Sequence, residues 1–159
     1  LENGTLLDAA IAQSGKDSDQ FWMIRDAIGD LLSRIPDAAN FDIGLPISRM
    51  QAFLERAQTV LYQQFEGLHT ITFGHLADGN IHMTAWTESG NSSKAIYQQV
   101  YELLQEFEGT VTAEHGIGVM KTDYLKLCRS PEEIELMKTL KRALDPNNIL
   151  NPSRVIGEI

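Results

Sequence analysis

Four groups in this sequence have the types and spacing to do chemistry together. His75 and His82 bracket an Asp78-Gly79 pair, and a second stretch places Glu114 beside His115 ahead of Gly116 and Gly118. The residues on either side of the Asp-Gly pair, 69–74 and 83–87, are rich in β-branched and aromatic types. That composition predicts a hairpin closed by a type I′ turn, which needs positive φ at both central residues. With Asp78 and Gly79 as the turn, Ala77 faces Asn80, Leu76 faces Ile81 and His75 faces His82. Opposed Cβ atoms on one face lie about 4.5–5.5 Å apart, close enough for two imidazoles to share one metal ion. The plainer reading is two exposed histidines beside a turn. A carboxylate such as Glu114 can complete a His-His-Glu shell, the ligand set of several catalytic zinc sites. Gly116 and Gly118 permit a tight turn and close approach of a ligand. Gly116-x-Gly118 is no dinucleotide fingerprint, since the third glycine is missing. A zinc hydrolase of the His-Glu-x-x-His kind is disfavoured because that helix motif is absent.

The elements that must position these groups can be read from periodicity. Residues 41–47 alternate and form a strand ending near Pro46. Ser48 caps a helix over 49–65, with Phe53, Ala57, Val60 and Leu61 on one face. The hairpin follows. A turn at 90–93 leads into a helix over 94–108, with Ile96, Val100, Leu103, Leu104 and Phe107 on one side. Gly109 ends that helix, and 110–113 form a short strand running into Glu114. The order from 41 to 115 is β-α-β-β-α-β, the split-βαβ, ferredoxin-like order of an antiparallel sheet with both helices on one face. The expected class is α+β, with this core at 41–115, helices before it and a helical tail over 120–159. In the hairpin, Ile71, Phe73 and His75 share a face with His82, Thr84 and Trp86. The helices are expected on the other face, that of Ile81, Met83 and Ala85, leaving the histidine face outward.

Two flanking segments complete the chain. Residues 6–12 read as a short helix capped by Thr5, and Ser18 or Asp19 caps a second helix running to about Arg34. Arg25 falls on the apolar face of that helix with Phe21 and Leu32. A charge there either snorkels and pairs with a carboxylate, or stands ready for a ligand carboxylate, which suits the planar guanidinium. At the other end, Ser130-Pro131-Glu132-Glu133 is a capping box with proline at the first helical position. Asp145-Pro146 closes that helix, and 147–152 form a structured turn.

Composition narrows the function classes. The chain has 159 residues, 43% hydrophobic, with 13 basic and 22 acidic residues and a net charge of −9. It contains no basic run, which argues against nucleic acid and anionic membrane as partners. Cys128 is the single cysteine, so no disulfide forms within the chain and a reducing compartment fits. No apolar run reaches the length of a membrane span. The first residues, Leu1-Glu2-Asn3-Gly4, resemble a cut end rather than a signal peptide, and the expectation is a piece of a longer protein.

Three stretches in this order, GHLADGNIH at 74–82, AEHGIGVMKTDYL at 113–125 and MKTLKRALDPNNILNP at 137–152, resemble the C-terminal part of FAD-linked oxidases of the vanillyl-alcohol-oxidase type. These include D-lactate dehydrogenase, D-2-hydroxyglutarate dehydrogenase and the glycolate oxidase D subunit. The resemblance spans residues 21–155 and implies a cap, or substrate domain, with FAD held mainly by a separate N-terminal domain of the same polypeptide. It implies a divalent metal, usually zinc, on His75, His82 and Glu114. It implies His115 as the base, Arg25 as a substrate-carboxylate ligand, Asn80 near substrate, and Asn151 near the flavin. The implied reaction is oxidation of a D-2-hydroxy acid to the 2-oxo acid with hydride transfer to FAD. The implied setting is bacterial cytoplasm or a mitochondrial matrix, with a homodimer compatible. Two departures bear on the substrate. Asn40 stands where metal-binding members carry a lysine, and Gly29 stands where a hydroxyl residue is frequent; both count against a diacid that needs a second cation. The competing reading is a free-standing metal-binding or interaction domain without redox activity.

Overall fold

The structure is a computed structural model that describes residues 8–158. It divides into two compact units, Leu1–Pro36 and Asp37–Ile159, each described by itself. In the first unit the expected single helix is two: α1, Gly15–Asp26, and α2, Ile28–Ser33, interrupted at Ala27. The cap is Ser14, whose hydroxyl accepts from the Asp17 N–H, four residues earlier than the expected Ser18. No residue of α1 or α2 is buried. The expected helix at 6–12 lies partly outside the described residues, and residues 8–12 are not helical.

The second unit carries the sheet. Strand β1 is Ala39–Gly44, β2 is Leu68–His75 and β3 is Asn80–Thr87, in the antiparallel order β1-β3-β2. Helices α3, Ile47–Gln64, and α4, Ser93–Glu106, supply the two crossovers. Their apolar stripes, Phe53, Ala57 and Leu61 on α3 and Ile96, Val100 and Leu104 on α4, are fully buried. They pack with Phe41, Ile43, Ile81, Met83 and Ala85 as one core, so the helices cover the expected face. Helix α3 begins after Pro46 without a side-chain cap; Ser48 lies inside it.

Two expectations about the sheet need correction. The fourth strand at 110–113 is reduced to a single antiparallel bridge, Gly44 to Thr110, with the two residues exchanging both backbone hydrogen bonds. The bridge sits on the free edge of β1, where the fourth strand of a split-βαβ sheet belongs. Beyond it the backbone N–H groups of Ala113, Glu114 and His115 turn to one side-chain oxygen instead of a ladder, which stops a strand from forming. The hairpin register is also shifted. His75 pairs with Asn80, and His82 pairs with Phe73. The connection is a short 3₁₀ turn, Leu76–Asp78, closed by Gly79 at φ 66° and ψ 22°. Gly79 is thus the one left-handed residue there, whereas a type I′ turn would need Asp78 left-handed too. The shift is two positions, an even number, so both histidines stay on one face.

Gly79 has a second constraint. Its carbonyl accepts the Leu45 N–H at 2.8 Å, tying the hairpin tip to the end of β1. A Cβ at this position would sit 2.3 Å from the Leu45 carbonyl oxygen. The tail is helix α5, Pro131–Leu144, with the expected capping box between Ser130 and Glu133. Asp145 then accepts the N–H groups of Ile149 and Leu150, which fixes the following turn. No helix among the described residues is long and apolar enough to cross a membrane.

Candidate functional site

Asp42 on β1 organises the site. It lies directly opposite His82 on β3 and is 1% exposed. A buried carboxylate is costly unless hydrogen-bonded. Here Oδ2 accepts four donors: the backbone N–H groups of Ala113 (3.1 Å), Glu114 (2.9 Å) and His115 (2.7 Å), and the Thr112 hydroxyl at 2.9 Å. Burial works to raise the pKa of Asp42. The N–H donors of His115 and Glu114, with Thr112 and Ala113, more than offset that and bring it down to about 2. Asp42 is therefore an anion at any working pH, and it anchors the backbone from which the Glu114 and His115 side chains project.

The metal-ligating types converge next to this anchor. His75 Nε2 lies 3.4 Å from Glu114 Oε1, and His82 Nε2 lies 3.8 Å from Glu114 Oε2. The two imidazoles meet edge to face at 5.5 Å between centroids. One ligand atom from each of His75, His82 and Glu114 falls within 4.8 Å of the others. Ligand atoms about 2.0–2.2 Å from a tetrahedral ion stand roughly 3.3–3.6 Å apart, so the donor set fits a zinc-sized cation after small side-chain movement. His82 is nearly buried, and burial lowers its pKa against the opposing pull of Asp42 and Glu114, which favours the neutral imidazole a metal requires. A second grouping, Asp42, His82 and His115, also falls within 4.8 Å. In that grouping one oxygen of the carboxylate, Oδ2, already accepts four donors.

His115 stacks on His82, with centroids 5.5 Å apart and planes at 18°, and its side chain is 65% exposed. Its Nδ1 is 3.9 Å from Asp42 Oδ2. It opens on a cleft of about 640 Å³ lined also by Asn40, Tyr97, Tyr101, Lys121, Tyr124 and Arg154, among others. Lys121 Nζ is buried 4.0 Å from Asp42 Oδ2 without a hydrogen-bond partner among the described residues, and burial lowers its pKa. Asn40 is held in place: its backbone N–H goes to the Tyr97 hydroxyl at 2.8 Å, and its side-chain oxygen accepts from Thr84 at 2.8 Å.

The remaining expected residues have distinct placements. Asn80 is 2% exposed, on the histidine face opposite His75, and both polar atoms of its amide lack partners among the described residues. Asn151 lies on the exposed turn after α5, at φ 49°, beside Met137, Lys141 and Arg154. That turn joins the Gly118 loop through the Val155 N–H, which donates to the Gly118 carbonyl at 2.8 Å. Arg25 belongs to the first unit, where it pairs with Asp26 at 2.9 Å and stands over the Trp22 ring at 5.6 Å. Asp42 and Lys121 are the residues that sequence reasoning missed. For Asp42 a signal existed: it alternates with Phe41 and Ile43, so it must face away from the helices. Lys121 gave no comparable signal.

The full length of the chain has curated relatives. It is 38% identical to D-2-hydroxyglutarate dehydrogenase of Xanthomonas citri pv. viticola, over 98% of this chain and 34% of that protein. It is 32% identical to the enzyme of that name from Stutzerimonas stutzeri, over 99% of the chain and 35% of the relative. It is 33% identical to mitochondrial D-2-hydroxyglutarate dehydrogenase of Arabidopsis thaliana, over 98% and 28%. The chain thus spans about a third of the length of these relatives. The family model "FAD linked oxidases, C-terminal domain" matches residues 1–155. The resemblance seen in the three motifs therefore extends over nearly every residue, and the chain belongs to the C-terminal domain family of FAD-linked oxidases.

Proposed function

We propose that this chain is the substrate-binding and catalytic cap of an FAD-dependent dehydrogenase that oxidises a D-2-hydroxy acid to the 2-oxo acid. The observation that carries the reading is the convergence of His75, His82 and Glu114 from three separate segments, with His115 stacked beside them. A divalent cation, in our reading zinc, would be held by those three residues and would supply Lewis acidity that favours loss of the substrate hydroxyl proton. FAD, bound mainly by another domain of the same polypeptide, would supply the hydride acceptor. The residues of this chain then do the rest. Imidazole His115, exposed on the cleft, accepts the hydroxyl proton as the C2 hydride departs and the carbonyl forms. Asn80 offers an unpartnered amide on the same sheet face for a substrate oxygen. Arg25 takes the carboxylate, and Asn151 is assigned to the flavin side. Names of relatives support a 2-hydroxy acid of the 2-hydroxyglutarate class. Asn40 and Gly29 argue that a second carboxylate, if present, is held differently here.

The test compares two neighbours in the complete flavoprotein. Glu114→Gln removes a negative ligand and should lower metal affinity, with added zinc or manganese partly restoring turnover. His115→Asn should keep its metal and slow flavin reduction by about 10²–10⁴-fold, without response to added metal. Loss of metal in His115→Asn with retention in Glu114→Gln would reverse these roles. Failure of every 2-hydroxy acid to reduce the flavin would leave the chain a binding domain without redox activity.

A further inference from the structure

The two oxygens of Asp42 have unequal surroundings. Oδ2 takes four donors, but Oδ1 is buried and has no hydrogen-bond partner among the described residues. A buried, unpartnered carboxylate oxygen is rare and costly, and it asks for a reason. His82 Nδ1 lies 3.8 Å from Oδ1. That distance is about 0.6 Å beyond the N–H···O hydrogen-bond range, and Asp42 and His82 are register partners on adjacent strands, so a modest ring movement closes it. The other nitrogen of the same ring, Nε2, lies 3.8 Å from Glu114 Oε2.

We propose that Asp42 is a positioning residue that fixes His82 in the Nδ1–H tautomer, so that Nε2 keeps a free lone pair for a divalent cation. This inference rests on the metal reading above. Two carboxylates flank the ring. Glu114 would draw the proton to Nε2, but its side chain is 48% exposed and its charge is screened by water. Asp42 is 1% exposed, and its charge acts through a low-dielectric path. The buried carboxylate therefore decides where the proton sits. Metal-bound histidines commonly donate their second N–H to a carboxylate, which sets ring orientation and raises ligand basicity. Here the same carboxylate also anchors the Glu114 backbone N–H at 2.9 Å. One side chain thus orients two of the three ligands, one through each of its oxygens.

Asp42→Asn is a selective test. An asparagine can still present its oxygen to the N–H groups of Ala113, Glu114 and His115, and its NH₂ then faces His82 Nδ1. That donor forces Nδ1 to accept and moves the ring proton to Nε2. Two readouts apply to the full chain. In metal-free protein at mildly alkaline pH, ¹⁵N shifts of the His82 ring, assigned with His82→Gln, should show Nδ1–H in the wild type and Nε2–H in Asp42→Asn. In competition with a chromophoric chelator, zinc affinity should fall about 10–100-fold in Asp42→Asn. Thr112→Val, which removes one donor from Oδ2 and leaves Oδ1 alone, should keep the wild-type affinity. An Nε2–H ring in the wild type overturns the inference, and this readout stands even if Asp42→Asn fails to fold. Equal losses of affinity in Asp42→Asn and Thr112→Val also overturn it, because the effect would then run through the backbone anchor. If the wild type binds no zinc while its ring is Nδ1–H, the metal reading falls and the tautomer assignment survives.

Discussion

Protonating Asp42 should dismantle the site from below, and the structure sets the size of the effect. Its carboxyl is brought from 3.8 down to about 2. Each unit is worth about 1.4 kcal/mol, so the group contributes about 2 kcal/mol of folding stability at pH 7. The sign follows from the direction of the shift. A depressed folded pKa means that the contribution is fully present above the unfolded value of 3.8 and is lost as pH falls through 3.8 towards 2. By linkage about half is gone at pH 3, a loss of about 1 kcal/mol between pH 5 and pH 3. The assay is urea unfolding at closely spaced pH values in metal-free protein. Other carboxylates cancel when the chain is compared with Asp42→Asn. One neighbour does not: His82 has a pKa lowered chiefly by burial and opposed by Asp42, so removing the charge also moves the imidazole. Making both measurements in a His82→Gln background removes that contribution. Asp42→Asn further strands the buried Lys121 ammonium, which adds a penalty that is constant over this pH range. The stability difference between the two proteins should therefore be largest at pH 5 and shrink by about 1 kcal/mol by pH 3. A difference that stays flat over that interval would show that the four donors to Oδ2 do not hold the carboxylate ionised.

Other consequences are as direct. Gly79→Ala forces a Cβ to 2.3 Å from the Leu45 oxygen at a φ of 66° and should cost about 2 kcal/mol or more in urea unfolding. Because the hairpin tip then leaves β1, zinc affinity should fall with it; unchanged affinity would mean that the Leu45 contact does not position the histidines. Arg25→Lys in the complete flavoprotein should raise KM for the 2-hydroxy acid and leave flavin content alone, since bidentate recognition of a carboxylate is lost. A lowered melting temperature with unchanged KM would make the Asp26 pair the whole role of Arg25. Chelator treatment at neutral pH should abolish flavin reduction and leave the far-ultraviolet circular dichroism unchanged, because the hydrophobic core does not include His75, His82 or Glu114.

The elements were legible where local signals and burial agree. The stripes of α3 and α4 repeat every three to four residues and bury the expected side chains except Phe107, which follows the end of α4 and is half-buried. The capping box of α5 needs only four adjacent residues. Failures came where a long-range contact overrides local preference. Residues 110–113 have strand composition, but their extension would carry the N–H groups of Ala113 to His115 away from Asp42, 71 to 73 positions earlier, and the carboxylate wins. The hairpin turn differs from the expected type I′ because Asp-Gly suits more than one geometry. Gly79 must be left-handed in either, and contact with Leu45 accompanies the longer turn.

The site was legible for a different reason. Strand parity survives any even shift of register, so His75 and His82 stayed on one face although their partners changed. Parity alone also places Asp42 on that face, since Phe41 and Ile43 turn to the helices. What parity cannot supply is which β3 residue Asp42 meets, because β1 and β3 are joined through α3 and β2 rather than by a short turn. The pairing with His82 appears once the Leu45–Gly79 contact and the Gly44–Asn80 pair fix the register. The two histidines are near neighbours in sequence and advertise themselves. The carboxylate that orients one of them, and that holds Glu114 and His115 in reach of it, is set by tertiary structure alone. A cluster of metal-ligating residue types can thus be read from spacing, whereas the buried group that packs behind it has to be read from contacts.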